Sequence, residues 1–159
     1  MYKAGDIIRL KDKNVVRVGR EKFRKEDVEG VIYVQKEDTF IFSSLRKDDV
    51  LKLHDGLAQV IEEGFESIKV RYINYDPLES MVVEITNPLD IVEYVAFNPG
   101  DQILTWFGTA VVASPGLKDG KVKIKTHTDA DYLYEINEVS LEEIEDVISC
   151  ELFQDKKIA

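Results

Sequence analysis

The chain has 159 residues, 44% hydrophobic and 33% charged, with 21 Lys and Arg against 31 Asp and Glu for a net charge of -10. A chain of this size buries roughly 70% of its unfolded surface, enough for one or two domains with a real core, and its apolar content excludes disorder. No apolar run approaches the ~20 residues of a membrane helix. The opening MYKAGDIIRL lacks the basic end and apolar stretch of a secretory signal, and the single Cys150 excludes an internal disulfide framework. The expectation is an intracellular protein, cytoplasmic or nuclear, that does not engage a membrane.

The first predicted strand, Ile7-Ile8, follows a Gly5-Asp6 corner. A long loop comes next and carries the basic cluster Arg17, Arg20, Lys22, Arg24 and Lys25. Gly30-x-Ile32-x-Val34 then alternates as a strand does, and Phe40 and Phe42 mark another. After Ser43-Ser44, the corner Asp48-Asp49 precedes Val50-Leu51, a turn at Gly56 and the strand Ala58-x-Val60. Ile68-x-Val70-x-Tyr72 and Met81–Ile85 alternate in turn, and Asn87-Pro88-Leu89-Asp90 can open a single 3₁₀ turn.

From Gly100-Asp101 the same grammar returns. Asp101, Gly108, Ala110 and Val112 fall on Asp49, Gly56, Ala58 and Val60, and Val122-Lys123-Ile124 falls on Ile68-Lys69-Val70. Tyr134-Glu135-Ile136 falls on Val83-Glu84-Ile85. The first third aligns more loosely, with Gly5-Asp6 at Gly100-Asp101, Gly30-x-Ile32-x-Val34 at Gly120-x-Val122-x-Ile124, and Phe40 and Phe42 at Tyr134 and Ile136. Ser140-Leu141-Glu142-Glu143 has the spacing of a capping box, so Leu141, Ile144, Val147 and Ile148 would line one side of a short C-terminal helix. The competing reading is a strand in which Ile148, Cys150 and Leu152 share a face.

Short strands at this spacing, broken by Gly, Pro, Asn and Asp, are the pattern of small barrels or sandwiches. A lone unit of about 50 residues is marginal, and the linkers are nearly absent, so three units are expected to pack into one rigid body. The pattern resembles the tandem SH3-like barrels, among them the KOW, Tudor and three-repeat spindlin-like families, over most of the chain. The expected fold is therefore all-β: three consecutive SH3-like small barrels packed together, at residues 1–45, 46–97 and 98–159, with at most a short C-terminal helix. Charge divides along the same lines. The first unit is +2, and the second and third are -6 each.

Trp106 and Phe107 fall at a strand-to-strand turn of the third unit, and Tyr132 and Tyr134 alternate onto one face nearby. The Tudor resemblance implies that such rings can box a methylated Lys or Arg, whose weakly hydrated cation suits the negative ring faces. Asp129, Asp131 and Glu135 would favour the same cation. The plainer reading is that the rings pack as core or rim. Through the KOW resemblance, the basic loop 17–25 could touch RNA or a ribonucleoprotein, with affinity falling steeply in salt. The net charge opposes that, and Glu21, Glu26, Asp27 and Glu29 dilute the cluster.

His127, Asp129 and Asp131 share a face if extended, yet the stretch reads as a polar hairpin connection, so no metal is expected. No cofactor is expected either. Phosphate-cradling Gly runs, Gly-x-Ser-x-Gly and His-Glu-x-x-His are all missing, and His54, His127 and Cys150 belong to different segments. Cys150, among Ile148, Leu152 and Phe153, reads as a buried inert thiol. The sequence thus points away from an enzyme. It favours a module that docks a protein partner bearing a basic or cationic segment, anchored by Trp106, Phe107, Tyr132 and Tyr134 with Asp129 and Asp131 alongside. An accessory factor for RNA or polymerase, and an acidic nucleic-acid mimic, are the alternatives.

Overall fold

The computed structural model describes residues 2–73, 81–126 and 138–148. All regular elements among them are strands and single 3₁₀ turns, arranged as three antiparallel sheets. The first sheet has the order β2-β1-β3-β4, from β1 (Ile7–Leu10), β2 (Val15–Arg17), β3 (Val28–Val34) and β4 (Thr39–Phe40). The second, β8-β7-β6-β5-β9, is built from β5 (Val50–Leu53), β6 (Gly56–Glu62), β7 (Ile68–Tyr72), β8 (Val82–Ile85) and β9 (Ile91–Val95). The third repeats that order as β13-β12-β11-β10-β14, with β10 (Gln102–Thr105), β11 (Gly108–Val112), β12 (Lys121–Thr126), β13 (Glu138–Ser140) and β14 (Ile144–Ile148). Among the described residues no pairing joins the two edges of a sheet, so no closed barrel forms. No helix is long and apolar enough to cross a membrane.

One local device starts every sheet. The carboxylates of Asp6, Asp49 and Asp101 accept hydrogen bonds from the backbone N–H three residues earlier, at Lys3, Arg46 and Asn98, over 3.0, 2.8 and 2.9 Å. The residue before each aspartate has a left-handed backbone, φ 96° at Gly5, 77° at Asp48 and 96° at Gly100. Glycine takes that conformation without a Cβ clash, and aspartate tolerates it better than most residues. The corner then exchanges a pair of backbone hydrogen bonds with the second strand or its extension: Gly5 and Asp6 with Val18, Asp48 and Asp49 with Val60, Gly100 and Asp101 with Val112. All three aspartates are buried, so each is satisfied locally rather than by water.

A second shared feature explains the C-terminal segment. In each sheet the first strand meets the strand after a 3₁₀ turn with a register shift, between Arg9/Leu10, Lys52/Leu53 and Leu104/Thr105. Opposite the last two, Val92 and Glu145 are the extra residues, because Leu53 faces Ile91 while Lys52 faces Glu93, and Thr105 faces Ile144 while Leu104 faces Asp146. Such a bulge offsets the alternation by one and puts buried residues at i and i+3, as at Ile91 and Tyr94 or Ile144 and Val147. That spacing imitates a helix. The expected C-terminal helix is corrected to one 3₁₀ turn, Leu141–Glu143, and then a strand in which Ile148 stays 44% exposed. Cys150 and Leu152 lie outside the described residues. The turn Pro88–Asp90 forms as expected, with the Asn87 side chain accepting from the Leu89 N–H.

The pairings correct two alignments. β3 pairs with β1 and β4, whereas β12 pairs with β11 and β13, so Gly30-x-Ile32-x-Val34 does not take the place of Val122 and Ile124. It follows the 3₁₀ turn Lys25–Asp27 and returns beside the first strand, as β9 and β14 do. The loop 18–24 stands where the other two sheets have further strands. Val122 faces Val139 as Ile68 faces Ile85, so Val139, not Ile136, holds Ile85's place. Alternation continues through this stretch, and period two by itself does not choose among registers.

The sheets share their cores. Ile7, Ile32, Phe40, Phe42 and Leu45 of the first sheet pack in one cluster with Leu51, Val60, Val70, Ile91 and Tyr94 of the second. Val50, Leu57, Val95 and Phe97 join Ile103, Ala110, Val122 and Ile144 of the third in another. A small cluster of Ile8, Val18 and Val28 covers the other face of the first sheet, with Phe23 packed on it.

Candidate functional site

The β10–β11 turn carries Trp106 and Phe107, and the structure treats the two rings differently. Phe107 is half-buried and packs on the core of the third sheet. Trp106 is 71% exposed. Its indole is nonetheless fixed: Nε1 donates to the Glu143 carboxylate at 3.0 Å, and its plane meets the Phe107 ring edge-on, centroids 5.3 Å apart. Glu143 in turn accepts from the Ser140 backbone N–H at 3.2 Å, as its capping spacing requires. Exposed Glu142 and Glu145 and half-buried Asp146 continue along the same turn and strand.

The Trp106 hydrogen bond, helped by the Ser140 N–H, holds the Glu143 carboxyl below the usual glutamate range. A folded-state value below the unfolded one stabilises the protein above the unfolded pKa of about 4.3 and stops doing so as pH falls through the lowered value. Trp106 is the only tryptophan, so tryptophan emission reports on this site. A fluorescence titration from neutral to pH 2 should show a step below the ordinary glutamate range, and Glu143→Gln should abolish it.

The matching turns of the other sheets make different contacts, to a 3₁₀ turn from His54 and Lys11 and to β7 from Asp55. His54 Nε2 lies 3.4 Å from the Leu89 carbonyl, Asp55 accepts from the Tyr72 hydroxyl, and the Lys11 N–H donates to the Asp27 carbonyl. Tyr132, Tyr134, Asp129, Asp131, Glu135 and His127 lie outside the described residues. Of the basic cluster, Arg20, Lys22, Arg24 and Lys25 are exposed, and Phe23 and Val18 anchor the loop that bears them. Arg17 stands apart from that loop. It is half-buried at the end of β2, in a cavity it lines with Tyr33, Phe40 and Val92.

Sequence reasoning missed a buried polar network that joins the first two sheets. Arg9, 6% exposed, donates through Nη2 to the Asp49 carboxylate and to the Ser44 carbonyl at 3.2 Å. Asp49 also accepts from the Tyr94 hydroxyl at 3.0 Å. Burial alone would lower the Arg9 pKa, but the bond and charge of Asp49 outweigh it and raise the value. Burial, reinforced by Asp49, drives the Tyr94 phenol well above its ordinary range. Glu29 faces Arg9 Nε at 3.6 Å and pairs with Lys13, whose hydrogen bond holds the carboxyl low. The available signal was a charge inside an apolar strand, Ile7-Ile8-Arg9-Leu10, since such a residue is buried only with a partner.

Comparison with protein-family models, with curated proteins and with solved structures finds no match to this chain.

Proposed function

We propose that this chain is a non-catalytic binding module, built of tandem SH3-like units, that docks a protein partner through a basic or cationic segment. The SH3-like reading is supported by the common strand order of the second and third sheets and by the corner that starts all three. The docking reading rests on one observation: Trp106 presents most of its indole to water while Glu143 and Phe107 hold it in place. A large ring already fixed loses little side-chain freedom on binding, and rigid aromatic anchors dominate interface energy. Glu142 and Glu145 beside it, on a unit of net charge -6, would steer and orient a cationic segment.

The test is affinity capture from the native host's lysate, followed by titration of the captured partner into purified protein. Trp106→Ala should weaken binding at least a hundredfold and lower the stability read by urea denaturation by no more than about 1.5 kcal/mol, the upper end for one hydrogen bond. Glu142→Lys with Glu145→Lys should slow association and flatten its salt dependence. Unchanged affinity in Trp106→Ala ends the reading. A second reading, an accessory factor contacting RNA through the loop 17–25, is favoured by the exposure of Arg20, Lys22, Arg24 and Lys25. Filter binding of single-stranded RNA at two salt concentrations separates the two, because phosphate contacts weaken steeply with salt.

A further inference from the structure

A cleft of about 760 Å³ opens where the three sheets meet, and Trp106 is not part of its wall. Arg9 and Lys13 line it from the first sheet, Lys47 and Asp48 from the second, and Lys118 and Asp119 from the β11–β12 connection of the third. Its volume is that of a small-molecule site, and boundaries between packed units are where such sites concentrate.

Two independent features set this cleft apart. Among the described residues, five that are not glycine have a left-handed backbone, and four of them line it: Lys13, Asp48, Phe97 and Asp119, with φ of 78°, 77°, 51° and 55°. Such conformations are costly and gather at ligand-binding positions. Arg9 supplies the second feature. Its buried Nε has no hydrogen-bond acceptor, the Glu29 carboxylate standing off at 3.6 Å. A buried donor without a partner is rare in a folded chain, and an oxygen from water or from a ligand would satisfy it.

The geometry points to a binding site for a compact, multiply charged oxyanion, carrying phosphate or carboxylate groups, held between Lys13, Lys47 and Lys118. The three lysines come from segments beside three different sheets and line the same cleft. Lys13 shares its charge with Glu29, while Lys47 and Lys118 make no ion pair among the described residues. Acid outnumbers base three to two over the chain, whereas four of the seven charged residues lining the cleft are basic. Asp49 is already engaged by Arg9. Asp48 and Asp119, next in sequence to Lys47 and Lys118, repel an anion that runs past the lysines. They restrict the site to a compact ligand and disfavour a nucleic-acid strand.

The probes are inorganic pyrophosphate and citrate, one for each anion chemistry, with sodium chloride at matched ionic strength as control. Either anion, titrated by calorimetry into the full chain, should bind saturably and raise the melting temperature where chloride does not. Lys47→Ala with Lys118→Ala, both exposed and outside the packed clusters, should fold as the parent does and bind at least tenfold more weakly. A preference for pyrophosphate identifies a phosphate site, and a preference for citrate a carboxylate site. Absence of saturable binding by both anions at millimolar concentration overturns the proposal, as does equal affinity in the double variant. Partner docking at Trp106 is read separately, so either proposal can fail alone.

Discussion

Asp49→Ala is expected to destabilise the protein by about 3–5 kcal/mol, the usual effect of removing one partner from a buried ion pair. The carboxylate serves three donors at once: the Arg9 guanidinium, the Tyr94 hydroxyl and the Arg46 N–H of its own corner. Its loss leaves a buried cation whose remaining hydrogen bond is to the Ser44 carbonyl. Asp6→Ala provides the contrast. Asp6 caps the same kind of corner, but its two oxygens accept from the backbone N–H groups of Lys3 and Gln35. That substitution leaves neutral N–H groups rather than a buried cation without their partner and should cost less, about 1–3 kcal/mol. Urea denaturation of the two variants decides the matter. Equal losses would mean that the corner alone stabilises and that Arg9 adds nothing. A buried ion pair need not add net stability over an apolar replacement, so the expected loss is that of a charge left without its partner.

Phe97→Ala is expected to cost about 3–5 kcal/mol, as truncation of a fully packed phenylalanine does. Phe97 is 2% exposed, and its ring belongs to the cluster shared by the second and third sheets. Its carbonyl accepts from the Gly116 N–H at 3.0 Å, which ties the linker to the β11–β12 connection. The backbone there is left-handed, an unfavourable conformation for a phenylalanine that the packing of its ring helps to sustain. Phe97→Ala keeps the strain and removes the compensation. Hydrogen exchange should therefore show amides of β10–β14 losing protection before those of β1–β4. A loss below about 1 kcal/mol, the range of tolerated core swaps, would show that the third sheet is held by other contacts.

The second and third sheets were legible because their residues obey local rules. Ala58-x-Val60, Ile68-x-Val70 and Val122-x-Ile124 alternate, and every core position among them is buried. The aspartate corners were also readable, since an aspartate three residues beyond a backbone donor can cap its own turn. What failed was the reading of interrupted alternation. One extra residue in β14 gave Ile144 and Val147 a helical spacing, and no sequence pattern distinguishes a bulge from a turn of helix over so short a span. The first sheet was misaligned for a related reason. β3 alternates like β12 but pairs like β14, and pairing is a property of two segments at once.

The candidate site divides in the same way. Trp106 stood out by type and position, yet its indole is held by Glu143, which lies 37 residues away in the chain. Phe107, adjacent and equally aromatic, turns inward to the core. By itself the sequence determined the β class, the places of the Gly-Asp and Asp-Asp corners, the turn at Pro88–Asp90 and the acidic surplus, all consequences of composition or of neighbours within four residues. Tertiary structure alone decided which charges are buried together, which ring faces water, and that three sheets enclose a cleft. Those outcomes depend on residues 35 to 95 positions apart, such as Arg9 with Ser44 or Lys52 with Val147, and local preferences say nothing about which distant groups meet.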